Sequence, residues 1–598
     1  MPQSQEDRKA PHVIGWHDSH GASAAVLSSD GAILYAAAEE RFTKRKLQKG
    51  YPEATLADIR NRFGSMPMIH GYQDMPLAAK ALRNAGLKWT TWWNGRNCEK
   101  SMVSLIRVFA EQRAGKRAGE VRKGDHAIQG DGPPSPSGIA PDFVCEHHRA
   151  HAASAYYLSG FDHAYIVTVD GVGDCLSGGI FVGRGANLTQ CRKFYYNDLT
   201  VGADYETFTA MLGFNPDRHC GKITGLAAYG SHSESCIEAL AEFLRDSWRR
   251  GRRNYFDRMH GPSHAQTLVE LRAIRASRFG AFSKEDLAFA IQHMAEQRVL
   301  DLLREHVPDI AGHDIALAGG VFANVRINQK VKELGFRNIF IQPAMDDSGL
   351  ALGVGLDYLG RNAGFRPRRL LDMFLGPGYD EGRIQEALDR AGVAYERVQN
   401  LASAVAKLLA DGNVVGRFDG RMEFGPRALG NRSILYDTRD PSVNAWLNKR
   451  LNRTDFMPFA PATLEEHAEE CYQGLDGCRH TAEFMTITFP CSEKMRQTSP
   501  AVVHVDGTAR AQLVSSRSNP GFHEILHAYH KITGIPSLVN TSFNMHESPI
   551  VNTPEDAVQT FLEGKLDYLA IGPFLAKAER ESLRTRPVGA SLHCKESS

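Results

Sequence analysis

Two stretches of this sequence share one pattern, an apolar run, a short polar turn and a second apolar run, and its recurrence restricts the folds open to the chain. The first, "HVIGWHDSHGASAAVLSSDGAILYAAAEERF", flanks Asp30-Gly31, a dipeptide suited to the positive dihedrals of a tight hairpin turn. The second, "AYIVTVDGVGD" followed by "CLSGGIFVGRG", again runs strand, glycine-containing turn, strand. Paired hairpins predict a duplicated half. Because 598 residues exceed what one hydrophobic core normally supports, at least two domains are expected.

Between the hairpins, "SMVSLIRVFAEQRAGKRAGEVRKGD" has helical character with a basic solvated face, and "QGDGPPSPSG" reads as an irregular loop. Further on, "FSKEDLAFAIQHMAEQRVLDLLREHV" predicts a long amphipathic helix with Ser283 as N-cap and Glu285 in its first turn. It leads into "DIALAGGVFANVRINQKV", a strand, a double glycine and a helix, where backbone N–H groups can approach a phosphate. Gly, Pro and Arg then mix in "RNAGFRPRRLLDMFLGPGYD", which places a domain boundary near Arg366 to Leu371 and divides the chain into residues 1–368 and 369–598. In the second part, "VVGRFDGRMEFGPRALGNRSIL", "VDGTARAQLV" and "IPSLVNTSFNMHESPIV" run from apolar strands into clusters of Arg, Ser and Asn, the composition of an α/β domain with an anion pocket.

Charge decides what that anion can be. With 70 Lys+Arg against 69 Asp+Glu, no global field draws the chain to nucleic acid or to an anionic membrane, so any anion site is local. No apolar run of membrane-spanning length and no signal core are present, and the ten cysteines contain no CxxC pair; a cytoplasmic protein with reduced thiols is expected.

His147 and His151 in "EHHRAHAASAYY" are four apart and share one face of a helix, whereas His148 points elsewhere. Spacing alone is weak, since 24 histidines supply on the order of one HxxxH pair by chance. Asp170 adds weight: it ends the strand "AYIVTV" and heads a tight turn, where a carboxylate is free to coordinate. A second carboxylate is offered by Asp346 or Asp347 in "IQPAMDDSGLALG". Two imidazoles with two carboxylates suit Fe(II), Mn(II) or Zn(II) and an open site that also touches phosphate.

Together "HGASAAVLSSDG", "AAAEERFTKRK", "HHRAHAASAYY", "TVDGVGD", "GKITGLAAYG", "LAGGVFANVRIN", "EFGPRALGNRSIL", "MPFAPATL", "DGTARAQLV" and "VNTSFNMHESPIV" resemble, in this order, the NodU/cephalosporin carbamoyltransferase family of O-carbamoyltransferases. The resemblance implies an N-terminal actin-like ATPase domain, of duplicated ribonuclease-H-like type, and a C-terminal YrdC-like α/β domain. It implies that His147, His151, Asp170 and Asp347 hold a metal, usually iron, with ATP phosphates completing its shell. Asp347 is preferred to Asp346 because the motif has aspartate two before glycine. Gly319, Gly320 and Asn324 match the nucleotide loop, and Lys222 stands where a cation offsets phosphate charge. His20 aligns with the family histidine suited to accept the proton of an acceptor hydroxyl, with His17 its competitor. Arg427, Arg510, Asn540 and Ser542 match positions that bind carbamoyl phosphate, a small dianion needing several fixed donors.

The chain departs from the pattern at Asn452 and Met457, where Lys and Arg are usual, with Arg453 or Lys449 able to compensate, and at Cys220, where Glu is common. The implied reaction converts carbamoyl phosphate and ATP into carbamoyl-adenylate with release of phosphate and pyrophosphate, then transfers the carbamoyl group to the hydroxyl of a small-molecule, natural-product acceptor as AMP leaves. Two rivals are a tRNA threonylcarbamoyl-transfer enzyme, disfavoured by the balanced charge, and a non-catalytic ATP- and metal-binding regulator. A homodimer remains open.

Overall fold

The computed structural model describes residues 12–64, 68–73, 142–174, 176–196, 198–249, 255–260, 263–453 and 458–578. The stretch around 101–125, the Pro/Gly loop 129–138 and Met457 lie outside the described residues.

Three main sheets organise a mixed α/β chain. The first contains β1 (His12–His17), β2 (Ser23–Leu27), β3 (Ile33–Ala38), β4 (Met68–Gln73) and β5 (Phe143–Cys145) in the order β3-β2-β1-β4-β5. The second contains β6 (His163–Gly173), β7 (Leu176–Arg184), β8 (Asn187–Tyr195), β9 (Asp314–Ala318) and β10 (Asn338–Ile341) in the order β8-β7-β6-β9-β10. In each sheet the first three strands form an antiparallel meander and the last two join in parallel on the far side of the first. The duplication expected from the hairpins is therefore present in strand order and sense. At the Asp30-Gly31 turn, Gly31 has φ +83°, and its N–H bonds to Ser28 O at 2.9 Å.

The helix Leu350–Ala363 joins the two halves. Its run "LALGVGL" lets neighbouring backbones come close: a Cβ at Gly353 would stand 1.8 Å from Ala150 O, and one at Gly15 of β1 would stand 2.2 Å from Ala351 O. Leu352, Leu356 and Leu359 are buried here, each contributing about 2 kcal/mol by removal from water. Arg149 Nε donates to Asp357 Oδ1 at 2.7 Å, which fixes this helix against His147–Ser159. The long helix expected from sequence spans Lys284–His306, and Ser283 caps it by accepting the Asp286 N–H at 2.9 Å.

The later part builds an eight-stranded sheet from β11 (Tyr395–Arg397), β12 (Val415–Phe418), β13 (Arg432–Tyr436), β14 (Ala460–Leu464), β17 (Gln512–Val514), β18 (Ser537–Ser542), β19 (Tyr568–Ile571) and β20 (Phe574–Lys577); β15 (Phe489–Pro490) and β16 (Thr508–Ala509) pair separately. Leu375, Phe424, Leu429 and Phe484 share a buried cluster with Leu352, Leu356 and Tyr157, so the eight-stranded part packs directly on the duplicated part.

Candidate metal centre and adjoining cavities

The helix His147–Ser159 begins at the first of its paired histidines. Glu146 precedes it without a side-chain cap; instead Asp174 Oδ2 accepts the His147 N–H at 2.8 Å. Asp174 and Asp170 are the two ends of "DGVGD", so one turn both anchors the helix and presents a carboxylate to its histidines. Gly173 between them makes the approach feasible: a Cβ there would lie 2.1 Å from His147 Cδ2.

Asp347 arrives from the turn ahead of Leu350–Ala363. Asp346 Oδ1 accepts the Ser348 N–H at 3.1 Å and also its hydroxyl, so the first carboxylate of the pair serves the turn and the second faces the histidines. His151 Nε2 lies 3.2 Å from Asp170 Oδ2 and 3.4 Å from Asp347 Oδ1; His147 Nε2 lies 3.4 and 3.6 Å from the same atoms. One donor atom from each of the four residues falls within 4.8 Å of the others.

Burial pushes both imidazoles down, but the two carboxylates outweigh it: His147 is raised, and His151 is raised to about 9. Burial likewise opposes ionisation of Asp170, yet the paired histidines hold it well below the usual carboxylate range. The other histidines nearby do not join the cluster. His148 Nδ1 faces Thr168 Oγ1 at 3.1 Å, and burial lowers it to about 3. His17 is sealed, with Nδ1 3.3 Å from Ser19 Oγ, and burial lowers it to about 4. Two borderline nitrogens with two hard oxygens, all able to converge on one point, fit Fe(II), Mn(II) or Zn(II).

Two further groups of donors occur among the described residues, Glu206 with Asp217 and His260, and His219 with His546 and Glu547. In the second, His219 Nδ1 accepts the Asn215 N–H at 3.3 Å, so its Nε2 carries the proton it gives Glu547 at 2.9 Å. With Arg218 Nη1 2.7 Å from Glu547 Oε2, this group is a polar clasp between the two parts of the chain.

Two cavities flank one wall. The larger, about 670 Å³, is lined by His20, Asp170, Asp347, Gly320, Asn324 and Arg427 among others. The smaller, about 340 Å³, is lined by Arg326, Lys330, His504, Asp506 and Arg510, with Thr224 common to both. Their partition is a polar network anchored on Glu296, whose Oε1 accepts from Gln292 Nε2 at 2.7 Å. Gln292 Nε2 donates to Asn324 Oδ1 at 3.2 Å while Asn324 Nδ2 donates to Gln292 Oε1 at 2.8 Å, and Tyr205 Oη joins Gln292 Oε1 at 2.8 Å and Thr224 Oγ1 at 2.9 Å. A recess of about 120 Å³ opens beside the larger cavity, with His20, Lys46, Asp347, Pro426 and Ser542 in its wall.

Placement of the remaining candidates is mixed. Gly319 takes φ +103°, and Gly320 leaves room for Asp170, whose Oδ1 would stand 2.9 Å from an added Cβ. Asn324 faces the larger cavity, but its amide caps the helix Val325–Glu333 and bonds Gln292, so the structure ties it to the partition. Lys222 differs from its sequence assignment beside phosphate: its ammonium lies 6.0 Å from the Phe214 ring centroid, and it lines neither cavity. Helix geometry explains the difference, because Gly221 and Thr224 of Cys220–Ala227 take the cavity side.

The four anion-binding candidates do not share one chamber. Arg427 faces the larger cavity and donates to Ala323 O at 3.4 Å, Arg510 faces the smaller, Ser542 lines the recess, and Asn540 is buried with Nδ2 donating to Gln512 Oε1 at 2.7 Å and Ala428 O at 3.2 Å. Asn452 adopts φ +56°, a conformation Asn tolerates at the end of Val443–Arg450. The next residue, Arg453, reaches Ser542 O at 2.7 Å and Thr541 Oγ1 at 2.9 Å. Sequence reasoning missed Lys46, Tyr205 and Gln292; only the segment "AAAEERFTKRK" pointed near one of them.

Fold and site thus define a mixed α/β protein with a two-His, two-Asp centre beside paired polar cavities. Residues 138–356 match the Carbamoyltransferase N-terminus model and residues 406–578 the Carbamoyltransferase C-terminus model. Nodulation protein NolNO of Sinorhizobium fredii is 40% identical over 581 residues, covering 94% of this chain and 79% of that protein. Nodulation protein NolO of Bradyrhizobium diazoefficiens is 38% identical over 474 residues, 75% of this chain and 82% of that one. The chain belongs to the carbamoyltransferase family. Solved structures resemble it distantly: component A of the Acidaminococcus fermentans (R)-2-hydroxyglutaryl-CoA dehydratase matches 59% of this chain and 100% of its own, at 12% identity and a TM-score of 0.32, too low to carry an argument. Among the described residues no helix is long and apolar enough to cross a membrane.

Proposed function

We propose that this chain is an ATP-dependent O-carbamoyltransferase that makes carbamoyl-adenylate from carbamoyl phosphate, ATP and one water, releasing phosphate and pyrophosphate, and passes the carbamoyl group to a hydroxyl of a small-molecule acceptor. The observation that carries the reading is the pairing of two cavities across one wall, an Arg510 side suited to a dianion and a His20 side suited to a hydroxyl. On this reading residues 1–368 form an actin-like domain and residues 369–598 a YrdC-like domain. Arg510, with Arg326 and Lys330 beside it, offsets the charge of carbamoyl phosphate; Arg427 and the backbone at Gly319 and Gly320 meet the nucleotide phosphates.

A divalent metal, iron in the family pattern, would be held by His147, His151, Asp170 and Asp347 and would supply Lewis-acid charge beside phosphate. His20, which faces the larger cavity while His17 is sealed, takes the hydroxyl proton on a ring nitrogen as the acceptor oxygen bonds to the carbamoyl carbon. The partition keeps bulk water from the mixed anhydride. The acceptor on this reading is a hydroxylated natural product.

Incubating metal-loaded protein with ATP and labelled carbamoyl phosphate tests this. Label should enter an adenylate, and Arg510→Ala should suppress it; no adenylate with any divalent metal would refute the assignment.

A further inference from the structure

The segment "AAAEERFTKRK" has no role in the reading above, yet it delivers a cation to the reaction chamber. Lys46 follows the short helix Glu40–Thr43 and lines both the larger cavity and the adjoining recess, as does His20. Among the described residues its ammonium has no hydrogen-bond or ion-pair partner, although the side chain is half-buried. Burial pulls it down from the ordinary lysine range, against the opposing pull of Glu40 and Glu547.

Its position is set by backbone bonds. The loop carrying Lys46 is joined to the turn carrying His20 by Ala22 N–H to Gln48 O at 2.9 Å and by Gly50 N–H to Asp18 O at 2.9 Å. Leu47, at φ +57°, donates its N–H to Glu40 Oε2 at 2.6 Å, and Arg218 Nη2 reaches Lys46 O at 3.5 Å. Lys46 thus stands on an anchored loop beside the proposed base, with Glu40 and Glu547 acting on its charge through space and its ammonium in no hydrogen bond or ion pair among the described residues.

We propose that Lys46 is a catalytic residue of the transfer step, contacting the phosphate of the leaving AMP. This rests on the carbamoyl-adenylate reading. As the acceptor oxygen bonds to the carbamoyl carbon, the hydroxyl proton moves to His20 and the bond between that carbon and the phosphate oxygen breaks. Its electron pair stays on the phosphate, raising the AMP phosphate from one negative charge to two. Lys46 meets that added charge, an interaction stronger in the transition state than in the ground state.

Two rates are measured in the metal-loaded full chain: adenylate formation, by ATP–pyrophosphate exchange dependent on carbamoyl phosphate, and release of AMP with carbamoylation of a hydroxylated acceptor. Lys46→Met should lower transfer relative to adenylate formation by about 100-fold. Lys46→Arg should restore part of the loss, alkylammonium salts should partly rescue Lys46→Ala, and Lys49→Met, at an exposed lysine of the same cavity, should lose far less. An unchanged ratio in Lys46→Met, or equal loss in Lys46→Arg and Lys46→Met, overturns the proposal. Should Lys46→Met fail to fold, the charge-retaining Arg variant and the Ala rescue still decide it. Absence of adenylate in the unsubstituted protein sinks the carbamoyl-adenylate reading instead.

Discussion

Without metal, His147, His151, Asp170 and Asp347 form two imidazoles clamped by two carboxylates, and the clamp should be visible as a pH dependence of stability. His151 is fully buried and is raised to about 9, against 6.5 for an ordinary histidine. A raised folded-state pKa gives stability that is complete below the unfolded value and disappears as pH rises through the folded one. The shift corresponds to about 3 kcal/mol, lost between about pH 6.5 and pH 9. Asp170, held far below its ordinary range, stays ionised throughout that window and adds nothing to the slope.

Metal reverses the trend, because each ligand must shed its proton to bind and the cation therefore gains on the proton as pH rises. The assay is chemical denaturation of metal-free protein at intervals from pH 6 to pH 9.5, with and without added divalent metal, for the unsubstituted protein and His151→Asn. The difference between the two proteins isolates the site from the other histidines. Metal-free unsubstituted protein should lose about 3 kcal/mol relative to the variant, and added metal should protect it more at pH 9 than at pH 6.5. A difference that is flat or grows with pH in the metal-free proteins refutes the reasoning.

Three other outcomes follow from single contacts. Gly173→Ala places a methyl 2.1 Å from His147 Cδ2, so the ring must move by more than a metal site tolerates; titration should show weakened metal binding with the fold retained by circular dichroism. Glu423 Oε1 accepts the N–H groups of Leu429, Asn431 and Arg432 at 2.8, 2.9 and 3.1 Å, which closes the loop bearing Arg427. Glu423→Ala leaves those buried donors unpaired and should cost about 3 kcal/mol or more in denaturant titration. Burial pushes the Cys220 thiol up to about 12, whereas Cys191 is exposed; at pH 8 a thiol reagent followed by peptide mapping should label Cys191 and leave Cys220 unreacted.

Much of this arrangement was legible because it depends on local pattern. Asp30-Gly31 and "DGVGD" announce their hairpins through turn chemistry, Ser283 announces a helix start, and His147 with His151 share a face by helical period alone. What sequence could not supply was direction across space. Ser348 occupies the carboxylate of Asp346 and leaves that of Asp347 facing the histidines, and of His17 and His20 it is His20 that reaches a cavity. Lys222 lies outside both cavity linings for the same reason: a motif fixes the helix, but its rotation decides which residues see the chamber.

Asn324 shows how such a difference alters chemistry rather than detail. A residue at the start of a helix after a double glycine is well placed for a nucleotide, but here its amide is spent on the helix cap, on a reciprocal pair with Gln292 and on Tyr205. Those bonds would have to break for Asn324 to bind a ligand, at a cost of a few kcal/mol unless the ligand replaced them. The same bonds separate the Arg510 side from the His20 side, with Thr224 in both walls. On the proposed reaction, a group that forms on one side and reacts on the other meets amide and hydroxyl groups, of which Gln292 is also held by the Glu296 carboxylate at 2.7 Å. On that reading, passage between the two cavities depends on the bonds among Gln292, Asn324, Tyr205 and Thr224.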